Sequence, residues 1–146
     1  MTKFSIVMAT YNSEATLHRC LESVREIKVA TSCKVILIDG ASNDSTLSIA
    51  GIFSDIIDVL VSEPDTGVYD AWNKGLKYCT NPWVMFLGSD DYICVAEFLD
   101  YLSFVETLSH CDFVSCRVQL IDEEGKAVRE AGRPWEWPLF RKYMCT

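Results

Sequence analysis

Apolar and polar positions along this chain switch repeatedly between two periods. Phe4 to Ala9 is an apolar run broken only by Ser5 and ending at TYNS, which predicts a buried strand. Leu17, Cys20, Leu21 and Val24 then recur at helical spacing, with Glu14, Arg19 and Glu22 on the outer face and Ser13 expected as the cap. Val35 to Ile38 predicts a second strand, ending in DGASND, and a short helix follows over 45–53, capped by Asp44 or Ser45. Ile56 to Val61 predicts a third strand and Val68 to Tyr78 a helix closed by Asn81–Pro82, since proline cannot continue the hydrogen-bond ladder. Trp83 to Leu87 is the fourth strand and Ala96 to Leu108 a further helix. Strands over 113–118 and 126–129 are expected to flank the polar turn DEEG.

Strand and helix in alternation, with near-uniformly apolar strands, predict an α/β fold: a Rossmann-like, mostly parallel sheet sandwiched by helices. In such a sheet, ligands gather outside the carboxyl ends of the strands. Those ends read Thr10–Tyr11–Asn12, Asp39–Gly40, Glu63–Pro64–Asp65 and Asp90–Asp91. Adjacent like charges repel, so an acidic edge needs an explanation. Two stay open: a cation that offsets the repulsion and carries a phosphate, or solvated turn caps.

Composition narrows the chemistry. The chain has 146 residues, enough for one ordinary domain, and 23% of them are charged. A formal net charge of −8 argues against a broad nucleic-acid footprint, so no nucleic-acid partner is expected. Seven cysteines form no CxxC pair, and most sit in apolar settings, which fits reduced core thiols in the cytoplasm. The loop after the first strand lacks the glycine-rich turn of dinucleotide redox enzymes, and no GxxxxGK or GxSxG pattern occurs. The glycine-rich, basic opening loop of nucleotidyltransferases is absent too.

Four segments in order, FSIVMATYNSEATLHRCLESV, VILIDGASNDST, SEPDTGVYDAWNKGLKYC and WVMFLGSDDY, resemble the family 2 glycosyltransferases of the GT-A fold. The match is densest from residue 3 to about 95 and is closest to the bacterial polysaccharide-biosynthesis branch. The resemblance implies that Thr10, Tyr11 and Asn12 line a nucleotide pocket and that Asp39 accepts a hydrogen bond from a uracil ring. Asp65 and Gly67 would sit beside the nucleotide and ribose, with Asn73 and Lys74 near the diphosphate. Asp90 would ligate Mn²⁺ or Mg²⁺, with Asp91 beside it as a second ligand, a hold on the donor sugar or a residue that orients the loop. Gly88 stands where many relatives carry the first aspartate of a DxD motif. Tyr69 and Trp72 read as packing residues.

The implied activity is transfer of a sugar, with inversion, from a nucleotide-diphosphate donor, a UDP-sugar, to a polysaccharide or lipid-linked acceptor. Catalytic domains of the family are longer, and no acid beyond Asp91 sits in a context that matches their general base. One domain over 1–146 is therefore expected, the donor half of a GT-A catalytic domain with its C-terminal part missing. A catalytically incomplete nucleotide-binding or interaction module is the second reading. The expected location is the cytoplasm, at the inner face of the membrane. A homodimer is also expected, with Trp135, Trp137, Leu139 and Phe140 at an apolar surface.

Overall fold

A computed structural model describes residues 3–108, 112–115, 118–122 and 124–131. The chain divides into two compact units, residues 1–107 and 108–146.

In the first unit, strands β1 (Phe4–Thr10), β2 (Lys34–Asp39), β3 (Val59–Ser62) and β4 (Trp83–Gly88) alternate with helices α1 (Leu17–Thr31), α2 (Thr46–Ile52), α3 (Val68–Leu76) and α4 (Val95–Val105). The strands form one parallel sheet in the order β3-β2-β1-β4. Alternation along β1 sends Phe4, Ile6 and Met8 to a core shared with Leu17, Leu21, Val24 and Ile27 of α1, Ala50 of α2 and Leu102 of α4. Val7, Ile36 and Ile38 face the other way and pack on Ala71 of α3. Both faces of β1 and β2 are buried, which is why their sequences read as unbroken apolar runs. No described helix is long and apolar enough to cross a membrane.

Three local expectations are corrected. Ser13 does not cap α1 through its side chain; its carbonyl accepts the Thr16 and Leu17 amides, and α1 ends at Ser32 in the left-handed region. The third strand starts at Val59, not Ile56, because the Ile56 and Ile57 amides turn back onto the Phe53 carbonyl. That turn plugs Ile56 into the core, and the Asp58 carboxylate caps the Val35 amide at 2.7 Å. The fourth helix ends at Val105, short of the expected Leu108, and Cys94 just before it is exposed and not a core thiol. Cys20 and Cys33 are buried and free, as expected.

In the second unit, β5 (Val118–Ile121) pairs antiparallel with β6 (Ala127–Ala131) across the expected polar turn. Asp122 organises that turn by accepting the Glu124 and Lys126 amides, and Gly125 takes φ +80°. Residues 113–115 are irregular, so the strand expected from Phe113 begins only at Val118. Trp135, Trp137, Leu139 and Phe140 lie outside the described residues.

Candidate functional site

The loop after β1 is laced to the loop after β2 by reciprocal hydrogen bonds. Asn12 takes φ +47°, which its short polar side chain tolerates. Its amide donates to Ser42 Oγ at 2.8 Å, and its Oδ1 accepts the Asn43 amide at 2.9 Å. The Ser13 amide donates to Thr46 Oγ1, the Glu14 amide to Asp44 Oδ2, and the Ser45 amide to Glu14 Oε2. Asp44 Oδ1 also accepts the Thr46 amide, so Asp44 fills the capping role expected for α2. Such a mesh fixes two strand ends as one rigid rim.

Asp39 lies beneath that rim, fully buried. Its carboxylate accepts the Ser42 amide at 3.0 Å, the Ser42 hydroxyl at 2.5 Å and the Ser62 hydroxyl at 2.6 Å. A carboxylate offers about four acceptor positions, so turn anchoring takes three and leaves about one for a further donor. Neighbouring Thr10 is buried, and its Oγ1 has no hydrogen-bond partner among the described residues.

Gly40 shows what gathers above. A Cβ there would lie 2.7 Å from Asp65 Oδ2 and 3.3 Å from the Tyr11 ring. The Asp65 carboxylate and Tyr11 fold over the glycine; Tyr11 itself is 60% exposed. Asp65 Oδ1 accepts the Gly67 amide at 2.9 Å, and Gly67 opens α3 with φ +124°. Lys74 reaches back to the same loop: its Nζ donates to the Pro64 carbonyl at 2.7 Å and pairs with Glu63 at 3.1 Å and Asp70 at 3.7 Å. Its charge is thus engaged in holding the loop that carries Asp65. Asn73 is exposed on α3. Trp72 packs on Phe86 with ring centroids 4.7 Å apart, in line with a packing role, whereas Tyr69 meets Trp72 edge-on at 5.6 Å but is 75% exposed.

On the other side of β1, β4 ends in the turn that carries the paired acids. The Asp91 amide donates to the Gly88 carbonyl, and the Gly88 amide points at Asp91 Oδ2, 3.3 Å away. A Cβ on Gly88 would sit 2.7 Å from Asp90 Oδ1 and 3.0 Å from Asp91 Oδ2. Both carboxylates therefore converge on the space that a side chain at 88 would fill. Partial desolvation and the neighbouring Asp90 push the Asp91 carboxyl above its usual range, against the pull of the Gly88 amide. The Cys20 thiol behind them is pushed up to about 12, by burial first and then by Asp91 and Asp90.

Two carboxylates converging on one space suit a hard divalent cation, which takes oxygen ligands and draws the rest from water and phosphate. Among the described residues no group of three or more acidic, Cys or His side chains is arranged as a metal site. The donor set fits an ion shared with a diphosphate, not an all-protein cage. Ser42 and Ser62 escaped sequence reasoning. The Asp39–Ser42 spacing is a recognisable turn signal, whereas Ser62 reaches Asp39 only because β3 lies beside β2 in register.

A parallel sheet with acidic strand ends gathered at one edge is the layout of a GT-A-type, nucleotide-sugar-binding fold. The chain belongs to glycosyl transferase family 2, whose model matches residues 5–144. It is 38% identical over 99 residues to a PGL/p-HBAD biosynthesis glycosyltransferase of Mycobacterium tuberculosis, covering 66% of this chain and 38% of that protein. It is 30% identical over 129 residues to the poly(ribitol-phosphate) beta-N-acetylglucosaminyltransferase TarS of Staphylococcus aureus, covering 86% of this chain and 22% of TarS. The crystal structure of TarS 1–349 in complex with UDP-GlcNAc superposes with a TM-score of 0.65 at 28% identity, over 73% of this chain and 32% of that one. The mannosyltransferase PcManGT of Pyrobaculum calidifontis, solved with GDP-Man and Mn²⁺, shares the fold with a TM-score of 0.59 at 23% identity, over 66% of this chain and 30% of that one. The chain spans less than half the length of each of these relatives.

Proposed function

We propose that this chain is the donor-binding half of an inverting glycosyltransferase that takes a nucleotide-diphosphate sugar, UDP-linked, and transfers the sugar to a polysaccharide or lipid-linked acceptor. The observation that carries the reading is the turning of Tyr11 and Asp65 over Gly40, and of Asp90 and Asp91 over Gly88, at the ends of strands flanking β1. The likeness to TarS, whose structure holds UDP-GlcNAc, supports the choice of uridine.

In this reading Thr10, Tyr11 and Asn12 form the wall for the base, and the remaining acceptor position of Asp39 takes the uracil N–H. Asp65 and Gly67 border the ribose. Lys74 acts on the diphosphate side by fixing the Glu63–Pro64 carbonyl and carboxylate, while Asn73 is free to donate from α3. Asp90 and Asp91 would hold Mn²⁺ or Mg²⁺. The ion, when bound, supplies positive charge against the departing nucleoside diphosphate. Action at the inner face of a membrane suits a lipid-linked acceptor.

The test is calorimetric titration of UDP into the purified chain with and without Mn²⁺, repeated on Asp90→Asn and with GDP as control. Saturable, Mn²⁺-dependent UDP binding that weakens at least tenfold in the variant is expected. A folded chain that binds no nucleotide would sink the proposal. Binding without sugar transfer to any of a broad acceptor panel would assign the chain to the second class, a nucleotide-binding module.

A further inference from the structure

The hydroxyls of Ser13 and Ser89 lie 2.8 Å apart, although 76 residues separate them. Ser89 is the residue between Gly88 and Asp90, and it is 9% exposed. Resting on the reading that Asp90 and Asp91 hold the cation, we propose that this hydroxyl pair is a positioning device. It sets the acidic turn against the loop carrying Tyr11, and so couples the cation site to the nucleotide site.

The hydrogen-bond directions support a one-way chain. Ser13 Oγ also lies 3.2 Å from the Tyr11 carbonyl, which can only accept. Ser13 spends its single proton there, so Ser89 donates to Ser13 and every proton is used. The Ser13 backbone is itself fixed, since its amide donates to Thr46 Oγ1 at 2.7 Å and Thr46 is fully buried. Ser89 therefore binds to a rigid point.

The other anchors of the turn run to helix α1. The Cys20 thiol meets the Gly88 carbonyl at 3.5 Å, the Arg19 guanidinium lies 4.0 Å above the Tyr92 ring, and the Ile93 amide donates to Ser23 Oγ at 3.0 Å. Among the described residues, Ser13–Ser89 is the one hydrogen bond joining the turn to the loop of residues 11–16. Two adjacent carboxylates repel and splay unless their backbone is held. Without the hydroxyl contact, the turn stays attached to α1 but loses its reference to the nucleotide wall.

The readout is the ratio of the UDP dissociation constant without Mn²⁺ to that with Mn²⁺, measured by calorimetry on the full chain. Ser13→Ala and Ser89→Ala are each expected to reduce that ratio about five- to tenfold; Ser89→Ala should leave Mn²⁺-free UDP binding and melting temperature close to wild type, while Ser13→Ala also frees the Tyr11 carbonyl. The double variant should be no worse than Ser13→Ala, because that substitution already removes the Ser13–Ser89 bond. Ser89→Thr, which keeps the hydroxyl, should restore the ratio. Single variants with a wild-type ratio, or effects that add in the double variant, would overturn the coupling while leaving the nucleotide reading intact. A wild-type chain with no UDP binding, or a ratio of about one, would instead refute the nucleotide and cation reading and the coupling with it. Should Ser89→Ala fail to fold, Ser13→Ala on the half-buried loop decides the matter.

Discussion

Gly75 of α3 lies so close to Val7 of β1 that a Cβ on the glycine would collide with Val7 Cγ1 and come within 3.3 Å of Ile38 Cγ1. The missing side chain lets the helix settle directly on the two central strands. Gly75→Ala is expected to destabilise the fold by about 1–3 kcal/mol through overpacking, offset in part by the roughly 1 kcal/mol that alanine gains in a helix. Urea denaturation reads this as a lower midpoint with an unchanged slope. An unaltered midpoint would show that the sheet face yields at no cost.

The convergence of Asp90 and Asp91 on Gly88 gives a second expectation. Gly88→Ala places a methyl in the space their carboxylates occupy, so both must swing away. The Mn²⁺-dependent part of UDP binding should fall about tenfold or more, with little change in melting temperature because the residue lies at the end of the sheet. A variant that keeps the full Mn²⁺ response would mean that the ion does not use this arrangement.

A third concerns acid stability. Asp70 accepts the Thr66 amide at 3.1 Å, and this amide, with Lys74 acting against partial desolvation, holds the carboxyl below its ordinary 3.8. A lowered folded-state pKa contributes stability above the unfolded value and loses it as the pH falls through the folded one. Wild type should therefore exceed Asp70→Asn in melting temperature at neutral pH. The gap should close as the pH drops from 3.8 through the lower folded value. A gap that persists in strong acid would trace the effect to packing and not to charge.

The fold was largely legible because burial on both faces makes central parallel strands read as apolar runs, as in Phe4–Thr10 and Lys34–Asp39. The same rule misled at Ile56, where an apolar residue is buried by a turn and not by a strand. Ser13 looks like a helix cap in sequence, yet its hydroxyl faces Ser89 and its carbonyl caps the helix. Lys74 carries a charge in the motif, but only the folded loop shows that Glu63, Asp70 and the Pro64 carbonyl already engage it. Side-chain partners distant in sequence leave no local signal.

The sequence by itself determined the alternation of elements, the acidic or polar residues at the strand ends and the four motifs that mark the family. Those properties follow from local periodicity, turn chemistry and residue order. Only the tertiary structure decided that β1 lies between β2 and β4, so that Gly40 and Gly88 flank its end and four side chains close over them. Sheet order and register are set by hydrogen bonds and packing between segments far apart in the chain, and no single segment encodes its neighbours.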